Sequence, residues 1–91
     1  MAQVKIPSPL LKLTNNESEV SIEGSTVKAI LEKLEEQFPG FHERLYDDSG
    51  SLRRFINIYV KEEDIRFLQG EDTEVAEGDE VSIIPAIAGG K

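Results

Sequence analysis

The sequence predicts an α+β domain in which antiparallel strands pack against one amphipathic helix. Three observations carry that prediction. Val27, Ile30, Leu31, Leu34 and Phe38 fall at i, i+3, i+4, i+7 and i+11, a continuous apolar helical stripe, while Lys28, Glu32, Lys33, Glu35 and Glu36 fill the other face. Before the helix, Val4 and Ile6 alternate with Gln3 and Lys5, and Val20 and Ile22 alternate with Ser21 and Glu23. After it come an alternating run ending at Val60 and an apolar run ending at Pro85. The expected order is two strands, a helix, two strands and a final strand.

The first strand stops at Pro7-Ser8-Pro9, because proline cannot donate to a ladder. Leu10, Leu11 and Leu13 add an apolar continuation, and Thr14-Asn15-Asn16-Glu17 is a turn, so the first two strands form a hairpin. Gly24 breaks the pattern, and Ser25 or Thr26 caps the helix. Pro39-Gly40 ends the helix, Phe41 and Leu45 are spaced for one more helical turn, and Asp47-Asp48-Ser49-Gly50 is a surface loop. Residues 54–60 make the clearest strand, with Ile56, Ile58 and Val60 on one face and Phe55, Asn57 and Tyr59 on the other. Bulk on both faces suits a central strand or an exposed interface. Lys61-Glu62-Glu63-Asp64 turns the chain into a short strand, Ile65-Arg66-Phe67, and Glu77-Gly78-Asp79 launches the last one, Glu80 to Pro85. Val4, Ile6, Val20, Ile22, Ile56, Ile58, Val81 and Ile83 are the expected sheet side of the core.

Composition narrows the function. A chain of 91 residues is one domain. It has no signal-peptide layout at Met1-Ala2-Gln3-Val4-Lys5 and no long apolar run, so a cytoplasmic protein is expected and Asn16-Glu17-Ser18 is turn chemistry. The absence of cysteine excludes disulfides, thiolate catalysis and cysteine metal sites. A net charge of −8 disfavours nucleic acid and anionic membranes as partners and favours a basic docking face. His42, the only histidine, is assigned a surface or structural role, and no metal is expected. Glu62-Glu63-Asp64 reads as a solvated hairpin turn, since calcium needs about six or more oxygens. The free chain is expected to be a monomer.

The C-terminal stretch, Ile83-Ile84-Pro85-Ala86-Ile87-Ala88-Gly89-Gly90-Lys91, carries the strongest functional signal. Pairing weakens at Pro85, and beyond it the side chains shrink until Gly89-Gly90 has no Cβ at all. Such a tail fits a narrow channel leading to another protein's active site. The expected division is a folded domain over 1–86 and a flexible tail over 87–91. If Ile56 and Ile83 face the helix, then Phe55, Tyr59 and Ile84 face away from it and form an interface, with Arg53, Arg54 and Arg66 as polar rim.

Hairpin, helix, hairpin, then a strand opened by Gly78-Asp79-Glu80-Val81 and closed by a proline-containing Gly-Gly tail: this layout resembles the ubiquitin-like sulfur carriers, the MoaD and ThiS proteins and their cysteine-biosynthesis relative CysO. Phe55-Ile56-Asn57-Ile58-Tyr59-Val60 and Asp64-Ile65-Arg66-Phe67 resemble the CysO branch more than the molybdopterin branch. The resemblance implies a β-grasp sheet with the first and last strands parallel and central. It also implies a chemistry. A ubiquitin-activating-type adenylyltransferase threads Gly89-Gly90 toward ATP-Mg, and the Gly90 carboxylate attacks the α-phosphorus. A sulfur donor then displaces AMP and leaves a thiocarboxylate for a sulfur-accepting synthase. The carrier binds no cofactor and is a co-substrate, not an enzyme. Cysteine or related sulfur-amino-acid biosynthesis is the first destination, with molybdopterin or thiazole synthesis, or conjugation to lysines as a modifier, as alternatives. An interaction module that never uses its tail is a further one. Lys91 departs from the family pattern, which finishes on Gly-Gly. It is removed by a peptidase or is foreign to the native chain.

Overall fold

A computed structural model describes residues 1–53 and 55–85. Five strands, β1 Ala2–Lys5, β2 Glu19–Ile22, β3 Ile56–Val60, β4 Glu63–Asp64 and β5 Glu80–Pro85, form one sheet in the order β2-β1-β5-β3-β4. Two helices, α1 Val27–Gln37 and α2 Phe41–Leu45, follow the first hairpin. β1 pairs with β2 antiparallel and with β5 parallel, and β3 pairs antiparallel with both β5 and β4. This is the β-grasp arrangement, with the first and last strands side by side in the middle.

Helix α1 forms where the stripe placed it. The Thr26 hydroxyl accepts from the Ala29 N–H at 3.1 Å, so Thr26 is the cap. Val27, Ile30, Leu31 and Leu34 are buried against Val4, Val20, Ile22, Ile58, Val81 and Ile83. Phe38 caps the C-terminus, and Gly40 turns the chain at φ 117°. The Glu35 carboxylate then accepts the His42 N–H at 2.7 Å and ties the end of α1 to the start of α2. Phe41 and Leu45 of α2 are buried, as their spacing predicts.

Two expected elements differ. Leu10, Leu11 and Leu13 belong to a 3-10 helix, Ser8–Thr14. Pro9 lacks the N–H a strand needs, while its fixed φ suits a first helical turn. Thr14 is buried with Oγ1 at 2.8 Å from the Glu17 carbonyl, and Asn15 and Asn16 reverse the chain at φ 55° and 68°. Ile65–Phe67 is likewise a 3-10 turn and not a strand. Lys61 and Glu62 adopt φ 53° and 73°, the conformation of a tight two-residue hairpin turn, and β4 lasts only two residues. The Asp64 carboxylate then accepts the Arg66 N–H at 2.8 Å and draws the backbone out of the ladder. Asp64, expected in a solvated turn, is therefore buried, whereas Glu62 and Glu63 are exposed. Among the described residues no helix is long and apolar enough to cross a membrane. The expected boundary at 86/87 and the expected mobility of the tail lie outside the described residues.

Candidate docking face and root of the tail

β5 is held along both edges, by β1 through Val4↔Val81 and by β3 through Ile58↔Ile83, and its last pair among the described residues is Ile56↔Pro85. Val81 and Ile83 point into the core, so Ser82 and Ile84 point to the opposite, open face of the sheet. Ile84 is 45% exposed and Phe55, in the turn before β3, is 43% exposed. The register places Asn57 opposite Ile84 and Tyr59 opposite Ser82, both half-buried on that face. The structure thus puts Tyr59 and Ile84 on one face, as the sequence predicts, toward the C-terminal end of β5.

Arg66 joins them. Its Nη2 donates to Asn57 Oδ1, and Nε and Nη2 donate to the Asp64 carboxylate at 3.2 and 2.9 Å. These side-chain hydrogen bonds, then the one from the Arg66 backbone N–H, hold the Asp64 carboxyl below its usual range against the opposing effect of burial. Arg53 donates from Nη2 to the Glu43 carbonyl of α2 at 3.1 Å and lines one groove with Asp64, Ile65 and Arg66. Arg54, Ala88, Gly89, Gly90 and Lys91 lie outside the described residues. The other half of the open face is charged, with Lys5 Nζ 3.3 Å from Glu80 and 4.0 Å from Glu19.

The Asp64 geometry yields a prediction. Its folded-state pKa is depressed, so its contribution to stability is present above about pH 4, the unfolded value, and is lost as pH falls below it. Asp64→Ala is expected to lower stability at neutral pH by about 1 kcal/mol, the size of a lost cap. The variant's stability should also fall less steeply in acid. Parallel acid-limb slopes for both proteins in denaturant titrations would contradict this.

Sequence reasoning missed two features. A groove of about 600 Å3 lies between α1, α2 and the segment Gly70–Asp72, lined by Glu32, Glu35, His42, Tyr46 and Glu71 among others. His42 stacks on Tyr46 at 4.8 Å between ring centroids, and the Tyr46 hydroxyl donates to Glu71 at 2.8 Å. Burial first, then this hydrogen bond and the charges of Glu71 and Glu32, raise the phenol above its ordinary range. The i, i+4 spacing of His42 and Tyr46 was the available signal. The second feature is Phe67, 86% exposed, which the expected strand had concealed.

Comparison with known proteins agrees with this architecture. The ThiS family model matches residues 4–90. The chain is 47% identical over 89 residues to the sulfur carrier protein CysO of Mycobacterium tuberculosis, covering 96% of each. A chain of the Amycolatopsis orientalis BexX/CysO complex superposes with a TM-score of 0.91 at 41% identity, covering 99% of this chain and all of that one. The small archaeal modifier protein 1 of Methanosarcina acetivorans superposes at 0.84 with 27% identity, covering 98% and 95%. With the β-grasp sheet and a family match running from β1 through Gly90, the chain belongs to the ThiS family of ubiquitin-like sulfur carriers, proteins that are carried through a reaction and do not catalyse it.

Proposed function

We propose that this protein carries sulfur as a thiocarboxylate on Gly90, for cysteine or related sulfur-amino-acid biosynthesis. The observation that supports it most is the placement of β5. A strand clamped on both edges is paired as far as Pro85, five residues before Gly90. Five extended residues reach roughly 17 Å, enough to enter a channel while the domain stays docked outside. Ala88 and Gly89 are small enough for such a channel.

The chemistry is divided between two proteins. A carboxylate resists substitution until one oxygen becomes a leaving group. The partner adenylyltransferase supplies ATP-Mg and the positioning. The Gly90 carboxylate oxygen bonds to the α-phosphorus as the bond to pyrophosphate breaks. A sulfur donor attacks the acyl carbon, AMP departs with its oxygen, and the C–S bond remains. Transfer to a sulfur-accepting synthase follows. Whatever residue follows Gly90, including Lys91, must first be removed by a peptidase. The identity to CysO supports the cysteine-related destination. The likeness to a modifier protein favours conjugation through Gly90 to lysines as the second reading. Isopeptide-linked conjugates in the host would select it. The cytoplasm, where the partner finds ATP, is the proposed location.

Phe55, Tyr59, Ile84 and Arg66 are the proposed docking residues for the activating enzyme. Tyr59→Ala is expected to weaken that binding by at least about tenfold with little loss of stability, because Tyr59 is half-buried on the open face. Titration against the purified adenylyltransferase checks it. Unchanged affinity would remove this face from the mechanism.

A further inference from the structure

We propose that Phe67 and Leu68 form a second anchor for the same partner, inserting into an apolar pocket with a basic rim. The inference rests on the docking reading above, and the test separates the two. Phe67 is 86% exposed and Leu68 39% exposed. The segment bearing them is nevertheless fixed. Asp64 caps the turn, the Leu68 N–H donates to the Ile65 carbonyl at 2.9 Å, and the Gln69 N–H donates to Thr73 Oγ1 at 3.0 Å. Ile65 is buried at 3% exposure and pins the turn to the core. A phenyl ring presented to water by a capped and pinned turn is a surface feature that association would bury.

Three observations say what covers it. The first is continuity: Arg66, directly before Phe67, reaches Asn57, which sits opposite Ile84 on the docking face. The second is area. A stable interface takes about 800 Å2 from each partner, on the order of a seventh of this chain's 5586 Å2. The half-buried Tyr59 with Ile84 and Phe55 offers only a part of that, and Phe67 with Leu68 adds the most exposed large hydrophobic side chain among the described residues. The third is charge. Residues 61–74 hold six carboxylates, Glu62, Glu63, Asp64, Glu71, Asp72 and Glu74, against Lys61 and Arg66. Asp64 and Arg66 neutralise each other, so an apolar knob stands in an acidic stretch. The complementary surface is an apolar pocket edged by lysine or arginine.

The test is the dissociation constant of the full chain with its purified adenylyltransferase, at low and high salt, for the wild type, Phe67→Ser and Ile84→Ser. Phe67→Ser is expected to bind at least about tenfold more weakly at both salt concentrations, with an unchanged melting temperature because the ring is already exposed. Wild-type affinity is expected to fall as salt rises. If Phe67→Ser binds like the wild type while Ile84→Ser does not, the anchor is wrong and the docking face stands. If only Phe67→Ser is weakened, the anchor stands without the face. Wild-type binding by both variants overturns both, and affinity indifferent to salt overturns the basic rim and with it the proposal.

Discussion

A chain ending at Gly90 is expected to be adenylated at least about 100-fold faster than one ending at Lys91. The reacting oxygen belongs to the terminal carboxylate, and one added residue moves it by ~3.5 Å along an extended chain. Misplacement by about 1 Å is enough to cost 100-fold in a positioned reaction. Lys91 also brings a long cationic side chain to the end of a tail that otherwise narrows from Ile87 through Ala88 to Gly89-Gly90. The two chains share every residue of β5 and of the open face, so docking should be equal and the loss confined to turnover. Pyrophosphate release by the paired enzyme, with each chain at saturating concentration, measures it. Equal turnover would place the reacting group elsewhere than Gly90.

The second large effect is on stability. Leu34→Ala is expected to cost about 2–5 kcal/mol, because Leu34 is fully buried at the centre of the α1 stripe and the sheet beneath it cannot collapse into the space. For a domain of this size that corresponds to more than about 10 °C in melting temperature. Glu36→Ala is the matched control on the same helix. Its side chain is 71% exposed, and its change is expected to stay within about 0.5 kcal/mol. Similar losses from the two substitutions would mean that the stripe does not face the core.

What could be read from the sequence follows from how local its causes are. Helix α1 was legible because five apolar residues repeat at helical spacing and Thr26 and Gly40 bound it. β3 was legible from strict alternation, which placed Tyr59 on the face away from the helix, and the same period along β5 placed Ile84 there opposite the inward Ile83. The parallel pairing of β1 with β5 was not, because its register joins residues almost 80 positions apart. It came from resemblance to a family. Ile65-Arg66-Phe67 reads as a strand by propensity, and it is the Asp64 carboxylate, bonded to the Arg66 N–H, that bends it into a 3-10 turn. That error hid the exposure of Phe67. Likewise Leu10, Leu11 and Leu13 carry no strand or helix period of their own, and Pro9 decides for the 3-10 turn. Stretches with a sustained helical or alternating period were predictable. Short segments decided by one carboxylate or one proline, and a pairing between the two ends of the chain, were not.

The central claim is that Gly90 becomes a thiocarboxylate. The most direct measurement is the intact mass of a chain ending at Gly90 after incubation with its adenylyltransferase, ATP-Mg and a sulfide donor. A species heavier by the difference between sulfur and oxygen is expected, localised by fragmentation to the C-terminal residue and absent when ATP is left out. A mass that stays unchanged while the enzyme consumes ATP with this chain, or a sulfur located on any other residue, would contradict it.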